Sequence, residues 1–280
     1  MKHSLTKASN QIPDSISDSD FAAIVRITLE VSGISIDDSK RPMIYSRFSR
    51  RLRELKLNSF ADYINILKKG DSDEYRAFIN TVTTNLTYFY REPHHFDYLN
   101  SVAIPALVKR NEQKKEIRLW SSACSSGQEA YSMAMVLADH AQLRNWNKKI
   151  LATDIDTDMV RTCTQGIYST EALRGLEPET QKNWLDPADD GFWQVKSELR
   201  RMLVAKHLNL FSTWPFRSDV DVIFCRNALI YFDETHQLQL LQKFADFQTP
   251  GAFLFLGHSE SIKSSSIPYK RVSNTVYERY

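Results

Sequence analysis

The chain has 280 residues, of which 42% are hydrophobic and 25% are charged. These values are typical of a globular protein with room for two domains, and a formal net charge of +2 gives no general attraction to nucleic acid. Three cysteines without C-x-x-C spacing exclude a disulfide framework, and the longest later apolar run, Ala252 to Leu256, is too short to cross a bilayer. We therefore expect reduced thiols and neither secretion nor membrane insertion.

The N-terminal third reads as helical. Residues 1–19 are rich in Ser, Asp and Asn, and we expect a flexible tail there. Apolar residues then recur at spacings of three and four in four segments: Asp20 to Ser32, about Pro42 to Leu55, Ser59 to Gly70 and Asp73 to about Val82. No strand pattern interrupts them, so residues 20–83 are predicted to form an all-α domain.

The second of these helices is strongly basic. Residues 40–56 contain seven Lys or Arg and one acid, Glu54. Such an excess of positive charge favours an acidic partner, although a solvated helix face remains an alternative. The candidate partner-binding side chains are Arg47, Arg50, Arg51 and Arg53.

Ile117 to Tyr131 predict a strand, a tight turn and a helix. The apolar start gives way to small residues up to Gly127, and a helical pattern begins at Gln128. Small side chains let a ligand approach the backbone, and the N–H groups of the first helical turn favour it electrostatically. Because only one glycine is present and no Gly-Lys-Ser/Thr follows, we expect neither a dinucleotide nor a nucleoside triphosphate.

A second strand, Lys149 to Asp154, ends in an acid that could accept hydrogen bonds from both ribose hydroxyls. Together with the phosphate-free turn, this carboxylate favours a nucleoside cofactor such as S-adenosylmethionine. A strand followed by a helix-capping Asp154 explains the same pattern equally well at this point.

The remaining pattern alternates strands and helices. A small β insert is predicted at about 186–207, where Phe192 to Lys196 and Met202 to His207 are too close for a crossover and should pair antiparallel. Val220 to Cys225 is a buried strand ending at Arg226, a helix and a strand follow, and a hairpin around Ser273-Asn274 closes the chain. This order predicts a doubly wound sheet with its ligand crevice at the carboxyl ends of the strands.

Six sequence blocks resemble the chemotaxis receptor methyltransferase (CheR) family, at family spacing from about Phe21 to Tyr277. They are Thr83 to Glu92, Ala123-Cys-Ser-Ser-Gly-Gln-Glu129, Asp154-Ile-Asp-Thr157, Gly166-Ile-Tyr168, Phe224 to Phe232 and Gly257-His-Ser-Glu260.

The resemblance implies an α/β fold: a Rossmann-like, class I methyltransferase domain over 84–280 with a small antiparallel β subdomain, preceded by the all-α domain, which would recognise the receptor. It also implies methyl transfer from S-adenosylmethionine to glutamate side chains of methyl-accepting chemotaxis proteins, leaving S-adenosylhomocysteine. The expected partner is the cytoplasmic helical region of the receptors. The expected location is the cytoplasm, at receptor arrays on the inner face of the membrane, and a monomer is expected.

By position in the matching motifs, nine residues are similar to the family's cofactor contacts: Asn85, Thr87, Arg91, Glu129, Asp154, Asn209, Leu210, Arg226 and Asn227. A glutamate carboxylate has a pKa of about 4.3 and is already ionised at neutral pH, so no general base is needed. Arg91 and Tyr231 are therefore predicted to orient the carboxylate. His94, His95 and His258 have no metal-binding pattern in the sequence, and no metal is expected.

Two other functions fit the sequence less well. A nucleic-acid methyltransferase would be expected to carry an Asn/Asp-Pro-Pro-Tyr/Phe motif after the Val220 strand, where Arg226-Asn227-Ala228 stands instead. A module that binds S-adenosylmethionine and docks on receptors without catalysis would not need the complete set of cofactor-type residues.

Overall fold

The computed structural model describes residues 13–216 and 219–280. Contacts divide the chain into a helical unit, Met1–Thr83, and a second unit, Thr84–Tyr280. A flexible tail was predicted for residues 1–19, and residues 1–12 of it lie outside the described residues. For residues 16–19 that prediction is wrong, because Ile16 is buried and the side chain of Ser17 caps a helix that begins at Asp18. None of the helices in the described ranges has the length and apolar character needed to span a bilayer.

Four α-helices make up the described part of the helical unit: α1 (Asp18–Ser32), α2 (Arg41–Glu54), α3 (Phe60–Lys68) and α4 (Ser72–Val82). Side-chain caps fix where helices begin, since Ser59 accepts a hydrogen bond from a first-turn N–H of α3 and Asp71 accepts two from α4. The ring of Phe48 packs between Tyr63 and Phe78, with centroid distances of 5.6 and 5.3 Å. The four predicted helices are thus confirmed.

The second unit contains seven α-helices and ten strands within the described residues. Its helices are α5 (Pro93–Tyr98), α6 (Ile104–Arg110), α7 (Gln128–Asp139), α8 (Thr157–Gln165), α9 (Pro178–Trp184), α10 (Ser197–Met202) and α11 (Glu234–Asp246). Its strands are β1 (Glu116–Ser121), β2 (Asn147–Asp154), β3 (Ile167–Ser169), β4 (Leu185–Pro187), β5 (Phe192–Val195), β6 (Leu203–His207), β7 (Val222–Cys225), β8 (Phe253–Leu256), β9 (Tyr269–Ser273) and β10 (Val276–Arg279).

Seven strands form the main sheet in the order β6-β2-β1-β7-β8-β10-β9. The first five are parallel, and the C-terminal hairpin adds an antiparallel edge, as predicted. Successive residues of β7 enter two different hydrophobic clusters, Phe224 with Tyr131 of α7 and Cys225 with Phe244 of α11. Because side chains alternate along a strand, helices cover both faces of the sheet and β7 is buried throughout.

The small antiparallel sheet has the order β3-β5-β4 and differs from the predicted insert. It spans residues 167–195 rather than 186–207, and β6 does not pair with β5. Helix α10 follows β5 and carries the chain to the edge of the main sheet, where β6 runs parallel to β2 with Leu203 opposite Ile150. The predicted antiparallel pairing of these two segments is therefore wrong, because the partner of β6 lies 53 residues earlier in the chain, as Leu203 opposite Ile150 shows.

Candidate functional site

The candidate site lies where the strand order reverses. From β1 the chain continues to β2 on one side of it, and later places β7 on the other side. The carboxyl ends of these three parallel strands therefore surround one crevice, the usual ligand position in such sheets. Ser121, Asp154 and Cys225 are the last residues of the three strands.

Asp154 is buried at the end of β2. Its Oδ2 accepts a hydrogen bond from the backbone N–H of Ser125 at 2.8 Å, and Oδ1 accepts one from the N–H of Asp156 at 2.9 Å. Burial raises the pKa of the Asp154 carboxyl to about 6, although these N–H donors oppose the rise. The cap of α8 is Asp156, whose carboxylate accepts from the first-turn N–H groups. Helix capping therefore does not explain Asp154.

The turn after β1 is shaped by Gly127. Its φ of +101° lies in the left-handed region, and a Cβ there would lie 2.7 Å from Sγ of Cys163 and 2.8 Å from Oη of Tyr168. The Tyr168 hydroxyl also donates a hydrogen bond to the carbonyl of Ser126. Glycine is therefore required at this position because Cys163 and Tyr168 leave no space for a Cβ. This reason adds to the one inferred from the sequence, that small residues let a ligand approach the backbone.

Glu129 and Arg226 join helix α7 to the end of β7. Nη1 of Arg226 lies 3.2 Å from Oε2 of Glu129, and the hydroxyl of Ser121 donates to Oε1 at 2.7 Å. Burial raises the pKa of the Glu129 carboxyl, and the positive charge of Arg226 opposes that rise. The other end of the guanidinium lies 3.4 Å from Oε2 of Glu92 and donates to the carbonyl of Arg91. Arg226 thus binds two carboxylates and the predicted cofactor loop.

Glu92 was not predicted as a site residue. Its Oε1 lies 2.9 Å from Nδ1 of His258, and its Oε2 lies 3.3 Å from Nδ1 of His95. Burial alone would raise the pKa of Glu92, but the His258 hydrogen bond and the Arg226 charge hold it below its usual value.

The structure brings His94 and His95 beside Glu92, a grouping that the sequence pattern did not indicate. Glu92, His94 and His95 place ligand atoms within 4.8 Å of one another, close enough to hold a metal ion. However, Oε2 of Glu92 already has the permanent positive charge of Arg226 3.4 Å away. A metal ion would have to compete with that charge.

The segment from Asn85 to Arg91 runs beside this crevice. The Asn85 amide donates to Oδ2 of Asp156 at 2.7 Å, and the Ser125 hydroxyl donates to the carbonyl of Asn85 at 3.0 Å. Nη1 of Arg91 donates to the carbonyl of Leu86 at 2.7 Å, so the guanidinium is held by its own loop. Ser125 and Asp156, which also bind Asp154, thus connect Asn85 to that carboxylate, and Arg91 is connected to the site through its carbonyl, which accepts from Arg226.

Two further segments with predicted site residues, 209–210 and 227–231, lie at the edge of the same crevice. The N–H of Leu208 donates to the carbonyl of Asp154, which brings the following residues, Asn209 and buried Leu210, beside the end of β2. Asn227 directly follows Arg226, and its N–H donates to Oε2 of Glu260. Thr87 and Tyr231 are half-buried on the two loops, but the contacts of the described residues do not join their side chains to the other predicted site residues.

Four non-glycine residues of these loops have left-handed backbone conformations. They are Tyr90, Glu92, Ser125 and Asn227, with φ between +49° and +58°. This conformation is uncommon for residues with a Cβ and persists only where surrounding contacts hold it, as at many ligand sites.

The structure divides the four basic side chains proposed to bind a partner. Arg47 donates to the carbonyls of Val82 and Thr83 at the end of α4, at 2.8 and 2.7 Å. Arg51 binds the buried carboxylate of Glu74 through two nitrogens. Arg50 and Arg53 are exposed. Arg50 pairs with Glu54 at 3.3 Å, but at the surface. The prediction that all four face a partner is thus weakened for Arg47 and Arg51, because contacts inside the helical unit hold them in less exposed positions.

Asp156, Glu92 and Glu260 were missed as site residues. Each lies in a sequence block that resembles the CheR family, and an acid inside a matching block was the available signal. The partners that tie them to the site, Asn85, His258 and Asn227, lie 71, 166 and 33 residues away in the chain, which a sequence pattern does not reveal.

Comparison with known proteins identifies both parts of the chain. Residues 19–83 match the family model "CheR methyltransferase, all-alpha domain", and residues 85–278 match "CheR methyltransferase, SAM binding domain". The chain is similar to the chemotaxis protein methyltransferase of Escherichia coli, with 38% identity over 94% of this chain and 91% of that relative. It is also 36% identical to a probable chemotaxis protein methyltransferase of Rhizobium etli, over 84% of this chain and 90% of that relative.

These matches confirm the predicted resemblance, the fold class and the assignment as an S-adenosylmethionine-dependent chemotaxis methyltransferase. The two family models meet between residues 83 and 85, where the contacts also divide the chain. The chain therefore belongs to the CheR methyltransferase family.

Proposed function

We propose that this protein transfers the methyl group of S-adenosylmethionine to glutamate side chains of chemotaxis receptors. The products are γ-glutamyl methyl esters and S-adenosylhomocysteine. The observation that carries the proposal is the convergence of Asp154, Glu129 and Arg226 at the carboxyl ends of neighbouring strands, in a chain of the CheR family.

The chemistry of these side chains fits the proposed ligand. Ionised Asp154 is an acceptor that suits two ribose hydroxyls, and its N–H partners hold it in place. Glu129 offers a negative charge for an ammonium group, and Arg226 with Arg91 offers positive charge for a carboxylate. The methionyl part of S-adenosylmethionine carries both groups. Asn85, Thr87, Asn209, Leu210 and Asn227 are proposed to complete the contacts.

When bound, S-adenosylmethionine supplies an electrophilic methyl group on a positively charged sulfur. The protein's task is to align a receptor carboxylate with that methyl group at about 3 to 3.5 Å. The carboxylate is already ionised, so no side chain has to remove a proton. Because the carboxylate loses charge as it reacts, a residue that bound it too tightly would slow the reaction.

Arg91 is proposed as the residue that orients the substrate carboxylate. One of its terminal nitrogens is already used by the carbonyl of Leu86, and its guanidinium lies 5.9 Å from the ring centre of Tyr88. A guanidinium held in this way has fewer donors left for a substrate, which favours a single contact over a tight bidentate pair. Tyr231, half-buried on the turn after β7, is proposed to assist.

Receptor recognition is proposed for the helical unit. Arg50 and Arg53 are exposed on α2 and suit an acidic surface such as the cytoplasmic helical region of a receptor. The protein would then act as a monomer in the cytoplasm, at receptor arrays on the inner face of the membrane. By binding the receptor, helix α2 would deliver the receptor helix that carries the target glutamate to the enzyme.

The test is incubation of the purified protein with methyl-labelled S-adenosylmethionine and receptor-containing membranes, followed by mild alkali. We expect volatile labelled methanol, because carboxyl methyl esters hydrolyse under these conditions. Label that remains on nucleic acid would indicate a nucleic-acid methyltransferase. Binding of S-adenosylhomocysteine without any labelling would indicate a non-catalytic docking module. The Asp154→Asn variant serves as the control for cofactor-dependent labelling.

A further inference from the structure

We propose that Glu260 is a positioning residue whose carboxylate sets the turn formed by residues 227–231. This turn carries Asn227, proposed to bind the cofactor, and Tyr231, proposed to orient the substrate. The inference rests on the proposed function and adds a residue that contacts neither ligand itself.

The carboxylate of Glu260 joins the ends of two neighbouring strands. Oε2 accepts hydrogen bonds from the N–H of Gly257, at 2.6 Å, and of Asn227, at 2.9 Å. Oε1 accepts one from the N–H of Ile230 at 3.3 Å. Gly257 directly follows β8 and Asn227 follows β7, so one side chain fixes both strand ends relative to each other. Bonds of this kind, from N–H groups to a carboxylate, are among the stronger hydrogen bonds in proteins.

The turn would not keep this shape on its own. Asn227 has a φ of +56°, a conformation that a residue with a Cβ rarely adopts. The turn's own backbone bonds are those from Tyr231 to Ala228 and from Phe232 to Leu229, at 3.1 and 3.0 Å. They leave the N–H groups of Asn227 and Ile230 to Glu260. The carboxylate thus holds both ends of the segment between the two functional side chains.

The absence of a side chain at Gly257 leaves room for Asn227 and Glu260 to make these contacts. A Cβ at this position would lie 2.7 Å from Nδ2 of Asn227 and 2.8 Å from Oε2 of Glu260. The Asn227 amide therefore packs directly on the Cα of Gly257. Unlike Gly127, Gly257 does not have a left-handed φ, so the restriction at this position is one of space.

The environment of Glu260 is unusual for an acid with a purely structural role. The residue is 5% exposed, and the described residues place no Lys, Arg or His in an ion pair with it. Burying a carboxylate without a counter-charge is costly, and the N–H donors offset only part of that cost. Asp221, at the other end of β7, provides the comparison: it too accepts a backbone N–H, from Arg118, but it is paired with Arg110.

The experiment compares Glu260→Gln with Asp221→Asn in the full chain. Each variant replaces a buried acid next to β7, but only Glu260 lies at the proposed site. Gln keeps one acceptor oxygen and presents an NH₂ group to the other N–H donors. We expect S-adenosylhomocysteine to bind about tenfold more weakly to Glu260→Gln by calorimetry, as for one unsatisfied hydrogen bond, and kcat for receptor methylation to fall as well. Asp221→Asn should lower the unfolding temperature without changing either quantity.

Unchanged affinity and kcat in Glu260→Gln, or changes matched by Asp221→Asn, would overturn the proposal. If Glu260→Gln does not fold, Gly257→Ala provides the second test, because its Cβ displaces the Asn227 amide. The Cβ would also lie 2.8 Å from the backbone nitrogen of Asn227, so a lower unfolding temperature is expected as well. Weaker binding than in Asp221→Asn is expected from the folded variant, and unchanged binding would contradict the proposal. If wild-type protein bound S-adenosylhomocysteine but did not methylate receptors, the proposed function would fail while calorimetry still reported on Glu260.

Discussion

Arg226 and Glu129 form an ion pair that is almost completely withdrawn from solvent. The nitrogen and oxygen are 3.2 Å apart, and the two side chains are 1% and 11% exposed. Glu92 shares the same guanidinium at 3.4 Å. Removing the arginine would therefore leave two carboxylates in a poorly solvated site without their counter-charge.

We expect Arg226→Met to destabilise the second unit by about 3 to 5 kcal/mol, as for a buried pair that loses one partner. All five tryptophans of the chain lie in the second unit, so urea unfolding followed by tryptophan fluorescence reports on it. Arg161→Met is the control, because Arg161 pairs with Asp158 at the surface and should change stability by less than about 1 kcal/mol. Equal effects of the two substitutions would contradict the importance of the buried pair.

The affinity for S-adenosylhomocysteine should depend on pH through Asp154. Its pKa in the folded protein is about 6, raised by burial, and only the ionised form accepts hydrogen bonds from both ribose hydroxyls. Binding favours the ionised form, so the dissociation constant should rise about tenfold for each pH unit below 6 and level off above it. Calorimetry between pH 5 and pH 8 measures this dependence.

Glu129 also has a raised pKa, so the pH profile needs a control. Asp154→Asn should bind more weakly at pH 8 and lose the part of the pH dependence that belongs to Asp154. An unchanged profile in this variant would assign the titration to another group.

Gly127→Ala should disrupt the turn before α7. The new Cβ would lie 2.7 Å from Sγ of Cys163, and the backbone would be held at a φ unfavourable for alanine. Gly191→Ala is the matched control, since Gly191 also has positive φ, +77°, but has open space around its Cβ position. We expect loss of affinity for S-adenosylhomocysteine, by calorimetry, with Gly127→Ala alone. A similar loss with Gly191→Ala would mean that strain anywhere in the chain has this effect.

Arg91→Lys tests the orientation of the substrate. Lysine keeps the positive charge but cannot donate to the Leu86 carbonyl and present a planar group to the substrate at the same time. We expect kcat for receptor methylation to fall about tenfold or more, since small errors in alignment are costly. Full turnover and unchanged affinity in this variant would remove Arg91 from the proposed mechanism.

The basic helix gives a prediction that separates recognition from stability. Replacing exposed Arg50 and Arg53 with Ala should raise KM for the receptor and leave the unfolding temperature unchanged. Replacing Arg51 should destabilise the helical unit, because Glu74 then loses its bidentate partner. Circular dichroism and receptor methylation, measured on both variants, distinguish the two effects. An unchanged KM in the Arg50/Arg53 variant would place receptor recognition elsewhere.

Local patterns predicted the elements of this fold well. The four N-terminal helices, the buried strand ending at Cys225 and the C-terminal hairpin follow from apolar spacing, caps and turn residues. The position of β6 did not follow, because its pairing with β2 depends on the path of α10 and on the burial of Leu203 at the sheet edge. Such pairings are decided by tertiary packing, which local spacing does not contain.

Site residues could be predicted where neighbouring residues in the sequence already indicated their role. Gly127 and Asp154 could be interpreted from their own neighbourhoods. Arg51 could not, because its spacing on α2 gave no indication that Glu74 would bind it. Glu260 was similarly hidden, since two of its three partners, Asn227 and Ile230, lie 33 and 30 residues away. Residues that hold others in place are therefore the part of a site that a single sequence reveals least.

The insertion of β10 between β8 and β9 has a consequence for folding. β8 is paired on one side by β7, and its other side is covered only once Val276–Arg279 has docked. The sequence of β8 is Phe-Leu-Phe-Leu, and all four residues are buried in the finished sheet. A partly folded chain whose C-terminal hairpin has not yet docked therefore presents an apolar strand edge to other chains. Aggregation of such a species is a hazard built into the order of the strands.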